Sequence, residues 1–145
     1  MAQQALESVL GEDNIANAVE VILDWQPGCE IARSVLRSIH SLRATEIAYE
    51  KYKVGNAEQA VLAVALIQHI HHPRALDWIE EFLNDDIVAA WGASILDQLI
   101  WSKVVKWDDP RVVRLLDLVE SHEDSTVRNK AAFIREYMAA RNEGR

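Results

Sequence analysis

Two of the five tryptophans give the clearest indication of binding chemistry in this sequence. Trp101 and Trp107 flank residues 102–106. An indole ring buries a large apolar area and keeps one N–H donor, which is why tryptophan is enriched at binding hot spots. Trp101 and Trp107 are therefore candidate partner contacts; the alternative is that they pack the connection in which they lie. Trp78 and Trp91 continue apolar stripes and are predicted to be core residues.

Acidic side chains form a second candidate contact surface. They follow Arg74, the one basic residue nearby, and comprise Asp77, Glu80, Glu81, Asp85 and Asp86. One interpretation is a solvated face that keeps the protein soluble; the other is a docking surface for a basic protein. Three of these carboxylates lie within one helical turn, but general acid–base chemistry needs a desolvated carboxylate, which a solvated helix face does not provide.

Three clustered histidines, His69, His71 and His72, are candidate metal ligands. Positions 69 and 72 share one face of a helix, so two ligands could converge. A structural zinc site needs four protein ligands and a catalytic site about three, and no cysteine or carboxylate at ligand spacing completes this set. The other interpretation places the histidines at a helix C-terminus, where a partly charged imidazole suits the helix dipole. The sequence therefore predicts neither a metal nor another cofactor.

Cys29, the only cysteine, follows Pro27-Gly28 at a predicted helix start. A helix N-terminus lowers a thiol pKa, but the neighbouring Glu30 opposes a thiolate, and a structural cysteine is the simpler interpretation. A single cysteine excludes an internal disulfide framework and is typical of a reducing compartment, so we expect a cytoplasmic protein. No phosphate-binding glycine loop, HExxH, GxSxG or EF-hand pattern occurs. These observations predict a protein that is not an enzyme.

The overall charge restricts the class of partner. Lysine and arginine number 15 against 23 aspartates and glutamates, which gives a formal net charge of -8. Nucleic-acid binding needs cations that displace counterions from phosphates, so we expect no general DNA or RNA binding. No apolar run approaches the roughly 20 residues that a membrane-spanning helix needs, so we expect no membrane partner.

The elements that position these residues are predicted to be α-helices throughout. The chain has 145 residues, half of them hydrophobic, with only five glycines and three prolines, and its apolar residues recur with helical periodicity. Asn56 is predicted to cap a helix together with a glutamine three residues later, after Gly55 caps the previous one. Pro73 and Pro110 are predicted first helical residues. We expect about eight helices, with residues 141–145 fraying.

The helices form an internal repeat. Pro73 and Pro110, 37 residues apart, each begin an apolar helix that is followed by an acidic turn and a second helix. That second helix contains small residues, at Gly92-Ala93 in one case and Ala131-Ala132 in the other. Small side chains let two helices approach closely, so Gly92→Leu is predicted to destabilise the protein. A period of about 30 to 40 residues is typical of a helical solenoid.

The segments HPRALDWIEEFLNDDIVAAWGASIL and DPRVVRLLDLVESHEDSTVRNKAAFI resemble HEAT-like repeats, and the resemblance extends more weakly over most of the chain. The Pro-Arg start, the acidic turn and Val127-Arg128 carry it. Ala89 stands where an arginine is usual, and the first two repeats lack the proline start. The resemblance implies one domain over residues 1–145: an α-α superhelix of about four antiparallel helix pairs whose concave face holds another protein.

Three functions are consistent with this sequence. The first is a non-catalytic module that binds a protein partner, which the acidic residues predict to be basic. The second is an immunity- or inhibitor-type protein that neutralises a basic toxin or nuclease. The third is an enzyme, because the HEAT-like family includes bilin chromophore lyases and DNA-alkylation glycosylases. The acidic charge argues against a glycosylase and no residue constellation supports a lyase, so we expect the first function.

Overall fold

A computed structural model describes residues 2–143, and this part of the chain is all-helical. It contains nine α-helices and a short 3-10 helix, Pro73–Trp78, but no strand. The helices are α1 (Ala2–Leu10), α2 (Glu12–Leu23), α3 (Cys29–Ser38), α4 (Leu42–Val54), α5 (Ala57–Ile70), α6 (Ile79–Leu83), α7 (Ala89–Trp101), α8 (Pro110–Glu120) and α9 (Ser125–Glu143). The predicted all-α class is confirmed, with one helix more than the expected eight. Within the described range, none of these helices is both long enough and apolar enough to cross a membrane.

The chain forms two compact units, one up to Ala75 and one from Leu76 onward. In the first unit α2 packs on α3 and α4 on α5, and the two pairs stack through α2–α4 and α3–α5 contacts. In the second unit α6 packs on α7 and α8 on α9, and these pairs stack through α6–α8 and α7–α9 contacts. The connections within pairs are two to five residues long, which makes paired helices antiparallel. Each unit therefore contains two stacked helix pairs; a single domain over residues 1–145 stays a prediction.

Local side chains determine where two of the helices begin. The N–H of Gln59 donates to Asn56 Oδ1 at 2.9 Å, and the N–H of Asn56 donates to Gln59 Oε1 at 3.0 Å. This reciprocal capping box satisfies two backbone donors at the start of α5. At α8, Asp109 Oδ1 accepts a hydrogen bond from the N–H of Arg111 at 2.8 Å, and Pro110 is the first helical residue. Both predicted helix starts are confirmed.

Two helix boundaries, the start at Pro73 and the end at Gly55, differ in detail from the prediction. Pro73–Trp78 is a 3-10 helix that precedes α6, not the first turns of a longer α-helix. Gly55 follows α4 as predicted, but its φ of -81° is not left-handed. Glycine is suited to this position because a Cβ atom would lie 2.8 Å from the carbonyl oxygen of Lys51 and 2.8 Å from the Cβ of Gln59. The closeness of these neighbouring atoms, and not a left-handed backbone, therefore explains why a glycine is suited to this position.

The contact between α6 and α7 depends on a small residue. A Cβ atom on Gly92 would lie 2.9 Å from the Cβ of Phe82, and Phe82 is fully buried. Ala131, the corresponding residue of α9, is also buried. Trp78 is buried as predicted, but Trp91 is only partly buried. Successive helical residues diverge by about 100°, so Trp91 points away from the direction in which Gly92 meets α6.

The first helix is held to its unit by polar contacts. No residue of α1 is buried, but Glu7 accepts hydrogen bonds from the Ser41 hydroxyl and, at 3.1 Å, from the N–H of Arg43. Ser41 is the N-cap residue of α4. The Glu7 carboxylate therefore lies at the positive end of the α4 dipole, where a negative charge is stabilising.

Candidate functional site

The connection between α7 and α8, residues 102–109, contains Trp107, one of the two candidate tryptophans. It follows Trp101, the last residue of α7. Lys103 adopts a left-handed backbone with φ 61°, and its N–H donates to the carbonyl of Ile100 at 3.1 Å. A non-glycine residue in this region costs about 1–2 kcal/mol, which the hydrogen bond helps to offset. The turn fixes the direction in which the connection leaves the helix.

Trp101 lies on the surface against an aromatic residue of α9. It is 58% exposed, and its ring centroid lies 5.0 Å from that of Tyr137 with the ring planes inclined by 49°. The guanidinium carbon of Arg141 lies 4.8 Å from the Tyr137 centroid. Aromatic and cation–π attraction hold these three side chains together. Arg141 was expected in a fraying terminus, but it belongs to α9, which continues to Glu143; residues 144 and 145 lie outside the described range.

Trp107 is partly buried beside a shallow pocket. The pocket is lined by Lys103, Val105, Lys106, Trp107, Asp108 and Arg141. Arg141 contributes both to this pocket and to the contact with Tyr137, so the two tryptophans border one continuous surface. We call it the tryptophan surface and define it by six residues: Trp101, Trp107, Tyr137, Lys103, Lys106 and Arg141. Tyr137 and Arg141 were not found from the sequence.

The tryptophan surface is basic although the protein is acidic. Lys103, Lys106 and Arg141 face a single carboxylate, Asp108, in the pocket lining, whereas the whole chain carries a formal charge of -8. Neither lysine forms an ion pair with a described residue. Positive side chains near the exposed ring of Trp101 are complementary to carboxylates on a partner.

Two polar groups are buried on the helices that carry this surface. The Tyr137 hydroxyl oxygen has no hydrogen-bond partner among the described residues. Burial raises the pKa of Tyr137, opposed by the charge of Arg141. Asp97 of α7 is 5% exposed, and burial raises the pKa of its carboxyl group, opposed by Lys130 of α9. The only sequence signal for this buried acid is its place within the apolar run of α7.

Part of the predicted acidic surface is paired within the chain. The Asp77 carboxylate lies 3.4 Å from the Arg111 guanidinium, and Glu80 lies 2.9 Å from that of Arg114. The hydrogen bond from Arg114 lowers the pKa of Glu80. These contacts join the 3-10 helix and α6 to α8, so two of the five predicted acidic contacts have a role in joining helices.

The remaining acidic residues lie in α6 and the turn that follows it. Asp85 Oδ1 accepts a hydrogen bond from the N–H of Ile87 at 3.0 Å, which orders the turn before α7. Glu81 and Asp86 are exposed. Docking of a basic partner on these carboxylates stays a prediction, and the ion pairs of Asp77 and Glu80 reduce the charge that would attract it.

The three histidines lie at the end of α5, but they do not form a metal-ligand group. Among the described residues, no three or more histidine, cysteine, aspartate or glutamate side chains are placed to hold a metal ion. Burial is the first cause of a lowered pKa at His69, His71 and His72. Burial favours the neutral form and so opposes the partly charged imidazoles of the second interpretation, whereas the position of His69 and His71 at the C-terminus of α5 is as that interpretation expects. Cys29 begins α3 as predicted and is partly buried.

Comparisons of the chain with protein-family models, with curated proteins and with solved structures find no match.

Proposed function

We propose that this protein is a non-catalytic helical-repeat module that binds a protein partner through the tryptophan surface. The observation that carries the proposal is Trp101, which remains more than half exposed while its ring is held against Tyr137. Burial of apolar area is worth about 25 cal/mol per Å², so a partner that covers this indole gains free energy. Because contact with Tyr137 already restricts the ring, little further ordering is needed on binding.

HEAT-like repeats are part of this proposal. Each unit stacks two helix pairs, as such repeats do. The Asp77–Arg111 and Glu80–Arg114 ion pairs both join residues 34 positions apart, which is close to the repeat length seen in the sequence. The close contact at Gly92 supports the same alignment of repeats, since Ala131 is the corresponding buried residue.

The charge around Trp101 favours acidic side chains on the partner at this surface. Lys103, Lys106 and Arg141 would contact them at the rim, where charge mainly increases the association rate and selects partners. A basic partner, as an inhibitor of a toxin or nuclease would require, remains an alternative that depends on the acidic residues of α6 and its flanking turns. Chromophore-lyase activity is a third alternative, which no side-chain arrangement in the described residues favours.

A photo-crosslinking experiment tests the proposed binding surface. A benzoylphenylalanine residue replaces Trp101 in one variant and Val54 in a control; Val54 is 83% exposed and belongs to the other unit. Irradiation in an extract of the native host should give a protein adduct at position 101 that is absent at position 54, and mass spectrometry identifies it. No adduct at position 101, or the same adducts at both positions, would contradict the proposal.

A further inference from the structure

We propose that the pocket beside Trp107 binds a carboxylate group of the partner protein, and that Arg141 is the residue that selects this group. The inference rests on the proposed function, because it specifies the chemistry that the partner presents at the tryptophan surface. The pocket has a volume of about 330 Å³, which is at the small end of the range of about 300–1,000 Å³ found for ligand sites. It therefore has room for one short segment of a partner chain.

Backbone hydrogen bonds order the wall of the pocket that the connection between α7 and α8 provides. The N–H groups of Val104 and Val105 both donate to the carbonyl oxygen of Leu99, at 3.1 and 3.3 Å. The N–H of Asp109 donates to the carbonyl oxygen of Lys106 at 3.1 Å. The backbone of this segment is therefore held in place before a partner binds, which lowers the cost of ordering it on binding.

Arg141 is held at the pocket by an aromatic ring and not by a carboxylate. Its guanidinium carbon lies 4.8 Å from the ring centroid of Tyr137, and the described side chains provide no ion-pair partner for it. A guanidinium group has five N–H donors in its plane, and contact with a ring occupies none of them. Arg141 therefore presents unpaired donors at the pocket. Four other arginines do pair with carboxylates: Arg43, Arg111, Arg114 and Arg135.

The charges that line the pocket favour an anion. Lys103 and Lys106 line it together with Arg141, and Asp108 is the one carboxylate in the lining. Among these described residues no ion pair joins Asp108 to any of the three cations. A carboxylate accepts two parallel N–H bonds from a guanidinium, which is a strong and directional contact. The lysines would add attraction without fixing the direction of the group.

A carboxylate on a protein fits this surface better than the phosphates of a nucleic acid do. A nucleic-acid strand carries a phosphate at every nucleotide, and the formal charge of -8 on the whole chain opposes the approach of such a polyanion. A peptide that carries a single carboxylate meets less of this repulsion. Its apolar side chains can also cover the exposed ring of Trp101, which lies beside the same surface.

Titration with short peptides, followed by NMR of the tryptophan indole N–H resonances, tests the site. The peptide Ala-Phe-Ala-Glu-Ala, blocked at both ends, carries its carboxylate on a side chain, and acetylated Ala-Phe-Ala carries it at a free C-terminus. The control Ala-Phe-Ala-Gln-Ala, blocked at both ends, has no carboxylate. We expect a saturable shift of the Trp107 resonance with at least one carboxylate peptide and none with the control, whereas Trp25 in the first unit should not shift.

Variants assign the binding to Arg141. Arg141→Gln should weaken binding of the carboxylate peptide by at least about tenfold, because a hydrogen bond between charged groups is lost. Arg141→Lys keeps the charge but lacks the forked donors, so its affinity should lie between those of the wild type and Arg141→Gln. Lys53→Gln is the matched control, since Lys53 lies 5.3 Å from the Tyr49 ring in the first unit, and it should bind as the wild type does. Circular dichroism confirms that each variant is folded.

The two carboxylate peptides distinguish the sources of the group. Tighter binding of the first indicates an acidic side chain and tighter binding of the second a chain terminus; both support the site. The site is rejected if neither peptide gives a saturable shift, if the glutamine peptide binds equally well, or if Arg141→Gln retains full affinity. Displacement of the peptides by a single-stranded oligothymidylate that binds more tightly would assign the surface to nucleic acid and also reject it.

Crosslinking at position 101 separates this inference from the proposed function. A captured protein whose binding is unaffected by Arg141→Gln would leave the protein-binding function in place and reject the carboxylate site. Carboxylate peptides that bind through Arg141, without any protein captured at position 101, would support the site and reject the proposed function.

Discussion

The residue whose size matters most for packing is Gly92. Because a Cβ there would lie 2.9 Å from the Cβ of Phe82, Gly92→Leu must separate α6 from α7. We expect the substitution to lower the free energy of unfolding by about 1–3 kcal/mol or more, measured by urea denaturation. Ala132→Leu, on the exposed side of α9, is the matched control and should change it by less than about 0.5 kcal/mol. An unchanged midpoint for Gly92→Leu would show that the two helices do not meet at this residue.

The buried carboxyl group of Asp97 should make stability depend on pH. Burial raises its folded pKa above the ordinary 3.8, so the folded state retains the proton to a higher pH than the unfolded state. Its contribution to stability is therefore largest below pH 3.8 and is lost as the pH rises through the folded pKa. Asp97→Asn cannot ionise, so we expect it to be more stable than the wild type at pH 7.

Denaturation of Asp97→Asn and the wild type at pH 3, 5 and 7 measures this difference. The advantage of the asparagine variant should shrink toward pH 3, where both side chains are neutral. Asp86→Asn, at an exposed position, controls for the change in net charge and should show no such trend. A constant difference at all three pH values would contradict the assignment of a raised pKa to Asp97.

At the scale of helices, the capping box of α5 should be a measurable source of stability. Asn56→Ala removes the acceptor for the N–H of Gln59, which is bonded at 2.9 Å. We expect a loss of about 1 kcal/mol, measured by thermal denaturation. Asn129→Ala, at an exposed position inside α9, should not destabilise, because alanine is the better helix former there. Equal stability of Asn56→Ala and the wild type would show that the cap contributes nothing.

Helix boundaries were predictable where the signal is local. Asn56 accepts a hydrogen bond from the N–H three residues later, and Pro110 is suited to the first helical position because it lacks an N–H that would need a partner there, so the sequence reveals both helix starts directly. The first helix was missed because none of its residues is buried, and it is tied to its unit through Glu7 and Ser41, which are 34 residues apart. A contact of that range leaves no periodic pattern in the sequence.

The candidate site was also predictable only in part, because it depends on contacts between residues that are far apart in the sequence. Residue type alone identified Trp101 and Trp107 as candidate contacts. The ring that holds Trp101 belongs to Tyr137, 36 residues further along the chain, and Arg141 comes from a segment predicted to fray. Their contribution depends on how α9 packs against α7. The basic character of the tryptophan surface is evident only once this packing brings Arg141 close to Lys103 and Lys106.

At the scale of the whole molecule, the net charge hides a local separation of charge. The formal charge is -8, yet the pocket beside Trp107 is lined by Lys103, Lys106 and Arg141 against one carboxylate, Asp108. Several carboxylates join helices through ion pairs, as Glu80 does with Arg114. The net charge of the whole chain therefore does not predict the local charge of this surface.

Affinity for the partner captured at position 101 tests the central claim most directly. Calorimetric titration compares the wild type with Trp101→Ala and with Trp25→Ala, whose tryptophan is 64% exposed but lies in the other unit. We expect Trp101→Ala to weaken binding by about 30-fold, corresponding to a hot-spot loss of about 2 kcal/mol, and Trp25→Ala to bind as the wild type does. If Trp101→Ala remains folded and binds the partner as tightly as the wild type, the tryptophan surface is not the binding site.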